Sequence, residues 1–156
     1  MAENLPALPH LWRPRKARVA TLIIALAVVL VLGAVAVLLP ATEGTRTSVS
    51  NRIGVFAVGV GIAWFLVRHA SVTLTATAAG LQVKNLFRSR LVAWNEVASV
   101  SLRKGDPWVT LVLADGDTVA VMAIQSSDGP AAPAAARELA RLVARESAKA
   151  APPATT

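Results

Sequence analysis

The chain has 156 residues and a mass of 16.2 kDa, is 54% hydrophobic and 16% charged, and carries a formal charge of +7 with a mean hydropathy of +0.55. A chain so apolar and so weakly charged is not a disordered tail, and an ordinary soluble enzyme domain is rarely composed this way. The absence of cysteine excludes disulfides, cysteine–zinc sites and iron–sulfur clusters, and two histidines, His10 and His69, are too few for most catalytic or zinc arrangements.

Residues 1–18 form a basic segment containing Arg13, Arg15, Lys16 and Arg18. Val19–Leu39 follows as 21 residues without a charge, ending at Pro40. As a helix it reaches roughly 30 Å, the thickness of a bilayer's hydrocarbon core. A second uncharged run, Ile53–Val67, has 15 residues between Arg52 and Arg68. It spans only about 22 Å, but arginines snorkel and Val49, Ser50 and Asn51 can extend the helix, so it is expected to be a second span. The pairs Ala57/Gly61 and Gly59/Ala63 would let the two helices approach closely as a hairpin. A cleaved signal peptide competes for the first run, but its apolar region is longer than such segments carry.

Charge fixes an expected orientation. Residues 1–69 hold 7 Lys/Arg against 2 Asp/Glu, while residues 70–156 hold 9 against 7. Arg13, Arg15, Lys16 and Arg18 precede the first span and Arg68 leaves the second, whereas the 40–52 connection has only Arg46 and Arg52. The positive-inside rule places both termini in the cytoplasm and the 40–52 loop outside. The expected location is thus the cell membrane, crossed twice.

From Ser71 continuous apolarity gives way to alternation. Val72–Thr77 and Leu81–Lys84, joined at Ala79-Gly80, read as a β-hairpin. Arg88–Trp94 is a third strand, with Val92 and Trp94 on one face, interrupted by Asn95-Glu96. Val97–Arg103 is a fourth, expected to place Ala98, Val100 and Leu102 opposite Val97, Ser99, Ser101 and Arg103. Lys104-Gly105-Asp106-Pro107 supplies a turn, and Trp108–Leu113 and Thr118–Ile124 are joined by the hairpin signal Asp115-Gly116. Asp115-Gly116-Asp117 lacks the length and closing Glu of a calcium loop. Ser126–Pro130 caps a helix over 131–149, whose apolar stripe is Ala135, Leu139, Leu142 and Val143, with Arg137, Glu138, Arg141, Arg145 and Glu146 on other faces. Residues 148–156, with Pro152-Pro153, form an expected disordered tail.

Val83-Lys84-Asn85-Leu86, the run Arg90–Val97, and Gly105-Asp106-Pro107-Trp108-Val109 through Leu113–Asp117 to Ile124-Gln125, with Arg13-Pro14-Arg15 upstream, make residues 11–146 resemble the actinobacterial bacterial-PH-domain proteins. These are small proteins with two hydrophobic segments ahead of a PH-like domain. The resemblance implies an N-terminal transmembrane helical hairpin followed by a mainly-β PH-like split barrel over 70–147 with a C-terminal capping α-helix. Such barrels carry seven strands where six are counted, so the seventh is hidden in 84–104 or absent. Eukaryotic PH domains bind phosphoinositides through a basic loop between their first two strands. The turn taken here as that loop, Thr77-Ala78-Ala79-Gly80, has no Lys or Arg, so that activity does not carry over.

No nucleophile elbow, phosphate loop or metal cluster is legible, so catalysis and cofactors are not expected. Asp106 and Glu96 are expected to pair with Arg103 or Arg90 on the surface. The function expected is a membrane-anchored binding or scaffold module holding a membrane or envelope protein at the inner face. Its candidate surface is Lys84, Arg88, Arg90, Arg103, Lys104 and Trp108. Anionic lipid headgroups are the alternative ligand, and self-association is a further partner class. A nucleic-acid partner is suggested only by the pI of 11.3 and is disfavoured, because the domain has neither interleaved aromatics nor a known motif. Trp94 and Trp108 are expected to pack in the domain.

Overall fold

The structure is a computed structural model describing residues 5–38 and 49–150. Two compact units emerge, Arg15–Ser71 and a second built from Met1–Pro14 together with Val72–Thr156. The expected 40–52 loop and 148–156 tail lie largely outside the described residues.

The first unit is a pair of helices, α1 (Arg15–Leu38) and α2 (Val49–His69). Both begin ahead of the uncharged runs, and α2 gains length at the N-terminal residues Val49, Ser50 and Asn51. The helices approach at Gly59, where an added Cβ would stand 3.0 Å from Leu32 Cβ, and at Gly33, which lies beneath the Phe56 ring. Of the two small-residue pairs expected at this contact, only the one containing Gly59 serves it, since Gly61 faces open space and Ala57 is exposed. Both helices are long and apolar enough to cross a membrane, yet only 11% of either apolar window is buried. A helix forming the core of a soluble protein would show the reverse. Val37, Leu38, Ile53 and Trp64 instead turn most of their apolar surface outward.

The second unit contains two antiparallel sheets and one helix. Strands β1 (His10–Trp12), β2 (Thr73–Thr77), β3 (Gly80–Lys84) and β4 (Ser89–Val92) pair in that order. Strands β5 (Val97–Ser101), β6 (Trp108–Leu113) and β7 (Thr118–Gln125) form the other sheet, and α3 (Ala131–Ala150) follows. The seventh strand therefore lies ahead of α1, outside 84–104 and outside the soluble half altogether. Its register pairs His10 with Ala76 and Trp12 with Leu74, and Trp12 joins the core beside Leu74, Val83 and Val92. Consequently the connection between the first two strands is the helical pair with its basic flanks. Thr77–Gly80 is the turn between the second and third strands, which corrects the assignment of that turn from sequence.

Alternation holds where the pleat is regular. Leu74 and Ala76, Leu81 and Val83, Val109 and Leu111, and Val119 and Val121 all face the core. It fails in β5, where a bulge between Val97 and Ser99 lets Val97 oppose Leu113 while Val100 opposes Leu111. Val97 and Val100 thus share the inner face instead of alternating across it, the effect of one extra residue in a strand. On α3 the buried stripe is Ala132, Ala136, Leu139, Leu142, Val143 and Glu146, with Ala135 only half-buried. Glu146 continues the helical period from Leu139 and Val143 and so lies on the inner stripe, not on an outer face as expected. It is held there by Arg145 at 2.7 Å and Lys149 at 3.0 Å.

Candidate functional site

Strand pairing decides which of the expected surface residues meet. Lys84 ends β3 opposite Ser89, and Arg90 stands opposite Val83, so Lys84, Arg88 and Arg90 surround one β3–β4 turn. The root of that turn is fixed twice. Asn85 donates its backbone N–H to Arg88 O at 2.8 Å. Its side chain donates to Ala120 O at 2.7 Å and accepts from Met122 N–H at 3.2 Å, mimicking a strand neighbour for β7. Arg90 is engaged by Asp117 of the β6–β7 turn at 3.3 Å. Both partners are well exposed, so this pair orients more than it stabilises.

Arg103 and Lys104 lie elsewhere, in the β5–β6 turn, with Trp108 opening β6 opposite Gln125. The proposed single patch is therefore two. One sits beside the early part of β7, the other beyond its far end at Gln125. Trp108 is half-buried, whereas Trp94 is buried and donates its indole N–H to Thr77 O at 3.1 Å. Arg103, Lys104, Gly105 and Leu102 face Ser126, Gly129, Ala132 and Pro133 across an open groove of about 260 Å³. Small residues line the helix side of this groove and two exposed cations its strand side.

The carboxylates expected to pair with arginines serve the backbone instead. Asp106 accepts from the N–H of Arg103 at 2.8 Å and Glu96 from that of Ala93 at 3.0 Å. Each bond closes a four-residue turn, a geometry that local sequence provides without the entropy of fixing two long side chains. Asp115 likewise accepts from Asp117 N–H at 2.9 Å in the β6–β7 turn, as a turn residue does. Among the described residues no group of three His, Asp or Glu side chains is placed to hold a metal ion. A hydrogen bond from Lys149, aided by Arg145 and opposed by burial, holds the Glu146 carboxyl below the ordinary value of 4.5.

The charges used to orient the helices divide as well. Arg13 follows β1 and is exposed, Arg18 is half-buried on α1, and Arg68 is exposed near the end of α2. The side chains of Arg15 and Lys16 lie outside the described residues.

Residues 71–142 match the family model described as bacterial PH domain. Uncharacterised proteins of Mycobacterium tuberculosis and Mycobacterium bovis are each 34% identical over 137 residues, covering 88% of this chain and 86% of theirs. The chain belongs to the bacterial PH domain family. No solved structure matches it. The family match begins at residue 71 and so omits β1, although the aligned relatives extend far beyond the domain.

Two features of this PH domain were not read from sequence. One is Phe87, which leaves 67% of its surface exposed at the β3–β4 turn, the most exposed large apolar side chain among the described residues of the β unit. Its sequence signal was present, an apolar residue inside a charged turn, Lys84 to Arg90. The other is the bracing role of Asn85, which depends on a strand far along the chain and leaves no local signal.

Proposed function

We propose that this protein is a non-catalytic, membrane-anchored PH-like module that holds a protein partner at the inner face of the cell membrane. The observation that carries this reading is the insertion of the helical pair between β1 and β2. Two neighbouring strands of one sheet lead directly into two apolar helices, so the domain is joined to them by two short connections, Arg13-Pro14 and Ala70–Val72. Such tethering raises the effective concentration of a partner in the same membrane.

Pairing of β1 with β2 supports a topology with the residues before α1 and after α2 on the same side of the bilayer. The cationic flank Arg13, Arg15, Lys16 and Arg18, against Arg46 and Arg52 in the connection, supports the cytoplasm as that side. The partner surface in this reading is the groove between the β5–β6 turn and the start of α3, with Arg103 and Lys104 offered to an acidic segment. Support for a binding role comes from carboxylates committed to turns and from a groove too open to exclude water from a reaction.

A photo-crosslinking side chain at Lys104, compared with one at the exposed Ala79, tests this in native membranes. The expected result is a discrete adduct at 104 that disappears with Arg103→Glu and is absent at 79. Identical patterns at both positions would refute the assignment.

A further inference from the structure

We infer that the β3–β4 turn, Lys84–Arg88, is a membrane-contacting tip, with Phe87 inserted at the interface and Lys84 and Arg88 on anionic headgroups. The inference rests on the reading of α1 and α2 as spans, and deepens it by assigning a second, non-covalent membrane contact. Its basis is the register of the first sheet. The row Trp12–Leu74–Val83–Arg90, and beyond it Thr73–Lys84–Ser89, place three things at one end of that sheet. These are the exit of β1 toward α1, the entry of β2 from α2, and the β3–β4 turn.

Chain length then limits how far this end can stand from the bilayer. Two residues separate Trp12 from Arg15 and three separate His69 from Thr73. At no more than about 3.6 Å per residue, neither connection reaches beyond about 15 Å. Ser89 is two strands from Thr73, about 10 Å along the sheet. Covalent connectivity and strand register thus keep the turn within about 25 Å of the helix ends, a reach that includes the headgroup layer.

Its chemistry suits that place. Phe87 is 67% exposed, with half-buried Leu86 beside it, and both are flanked by exposed Lys84 and Arg88. An aromatic side chain between cations is favourable at a water–lipid boundary, where the ring leaves water and the charges remain among phosphates. Asn85 fixes the turn's root to β7, so the tip is presented on a rigid base rather than a loose loop. At the opposite end of the same sheet the β2–β3 turn carries Ala78 and Ala79 instead.

The chain has no cysteine, so one introduced cysteine gives a unique label. The full chain would be reconstituted in vesicles of phosphatidylcholine with 30% phosphatidylglycerol, separately as Phe87→Cys, Ala79→Cys and Val60→Cys, each spin-labelled. Collision with oxygen, which partitions into lipid, is compared with collision with an aqueous nickel chelate. The expected oxygen-to-nickel ratio at 87 is at least about fivefold that at 79, and falls at least twofold in Lys84→Gln/Arg88→Gln. A ratio at 87 equal to that at 79, or one unchanged by removing the two charges, overturns the inference while a lipid-buried label at 60 leaves the span reading standing. A water-exposed label at 60 overturns both.

Discussion

Replacing Trp12 tests whether the segment ahead of α1 is part of the domain. Trp12 is 8% exposed within the same core as Leu74, Leu81 and Val83, and His10 packs edge-on against it with ring centroids 4.3 Å apart. Truncating a core tryptophan to alanine costs about 3–5 kcal/mol. Its buried indole N–H finds no partner among the described residues, a penalty of about 1–3 kcal/mol that the truncation relieves. The net expected loss for Trp12→Ala is therefore about 2 kcal/mol, a large share of a small domain's roughly 5–15 kcal/mol. Trp12→Phe keeps an aromatic ring and discards the unpartnered N–H, so it is expected to stay within about 1 kcal/mol of the parent. Urea unfolding of the full chain in lipid nanodiscs, read by pulse proteolysis of the β unit, separates the two variants. At a slope of roughly 1.5 kcal/mol/M the alanine variant shifts the midpoint down by about 1.3 M. An unchanged midpoint for Trp12→Ala would show that β1 contributes nothing to the sheet and would remove the argument for a shared side of the membrane.

Gly80→Ala is expected to destabilise the β unit by more than about 2 kcal/mol, because φ at Gly80 is +145° and a Cβ would meet Val92 O at 2.3 Å. The same urea assay checks it, with the exposed Ala79→Ser as a neutral control. Asn85→Ala leaves Ala120 O and Met122 N–H without their side-chain partner, so a loss of about 1–3 kcal/mol and faster hydrogen exchange at Met122 are expected. Because the Glu146 carboxyl is held below its ordinary 4.5, its ion pairs contribute stability above that pH, and the contribution is lost as pH falls through the depressed folded value. Glu146→Gln should therefore be less stable than the parent at pH 7, with the difference shrinking as the pH falls below about 4.5; a gap independent of pH would contradict the ion-pair account.

Much of the architecture was legible because its signals are local. The two apolar runs, the alternation from Val72 to Lys84, the Asp115-Gly116 hairpin and the stripe of Leu139, Leu142 and Val143 each lie within one element. The candidate surface was legible only as a collection of residues. Lys84, Arg88 and Arg90 meet because β3 and β4 pair, while Arg103 and Lys104 belong to a turn of the other sheet. Neither grouping can be inferred from spacing along the chain.

What the sequence determined by itself was therefore the kind of each segment: apolar helices of spanning length, a short-stranded β domain, an amphipathic terminal helix and an asymmetry of positive charge. Periodicity and composition encode these directly, since each depends on neighbours within a few residues. Tertiary structure decided the rest. It drew His10–Trp12 into the sheet across the whole helical pair, and three residues carry too short a pattern to announce a strand whose partner lies that far along the chain. The bulge at Val97–Ser99 and the burial of Glu146 followed from fitting β6 and the clamping cations Arg145 and Lys149. The same long-range pairing set Phe87 at the sheet end from which the chain enters both helices, because register, not sequence distance, determines which loops share an end.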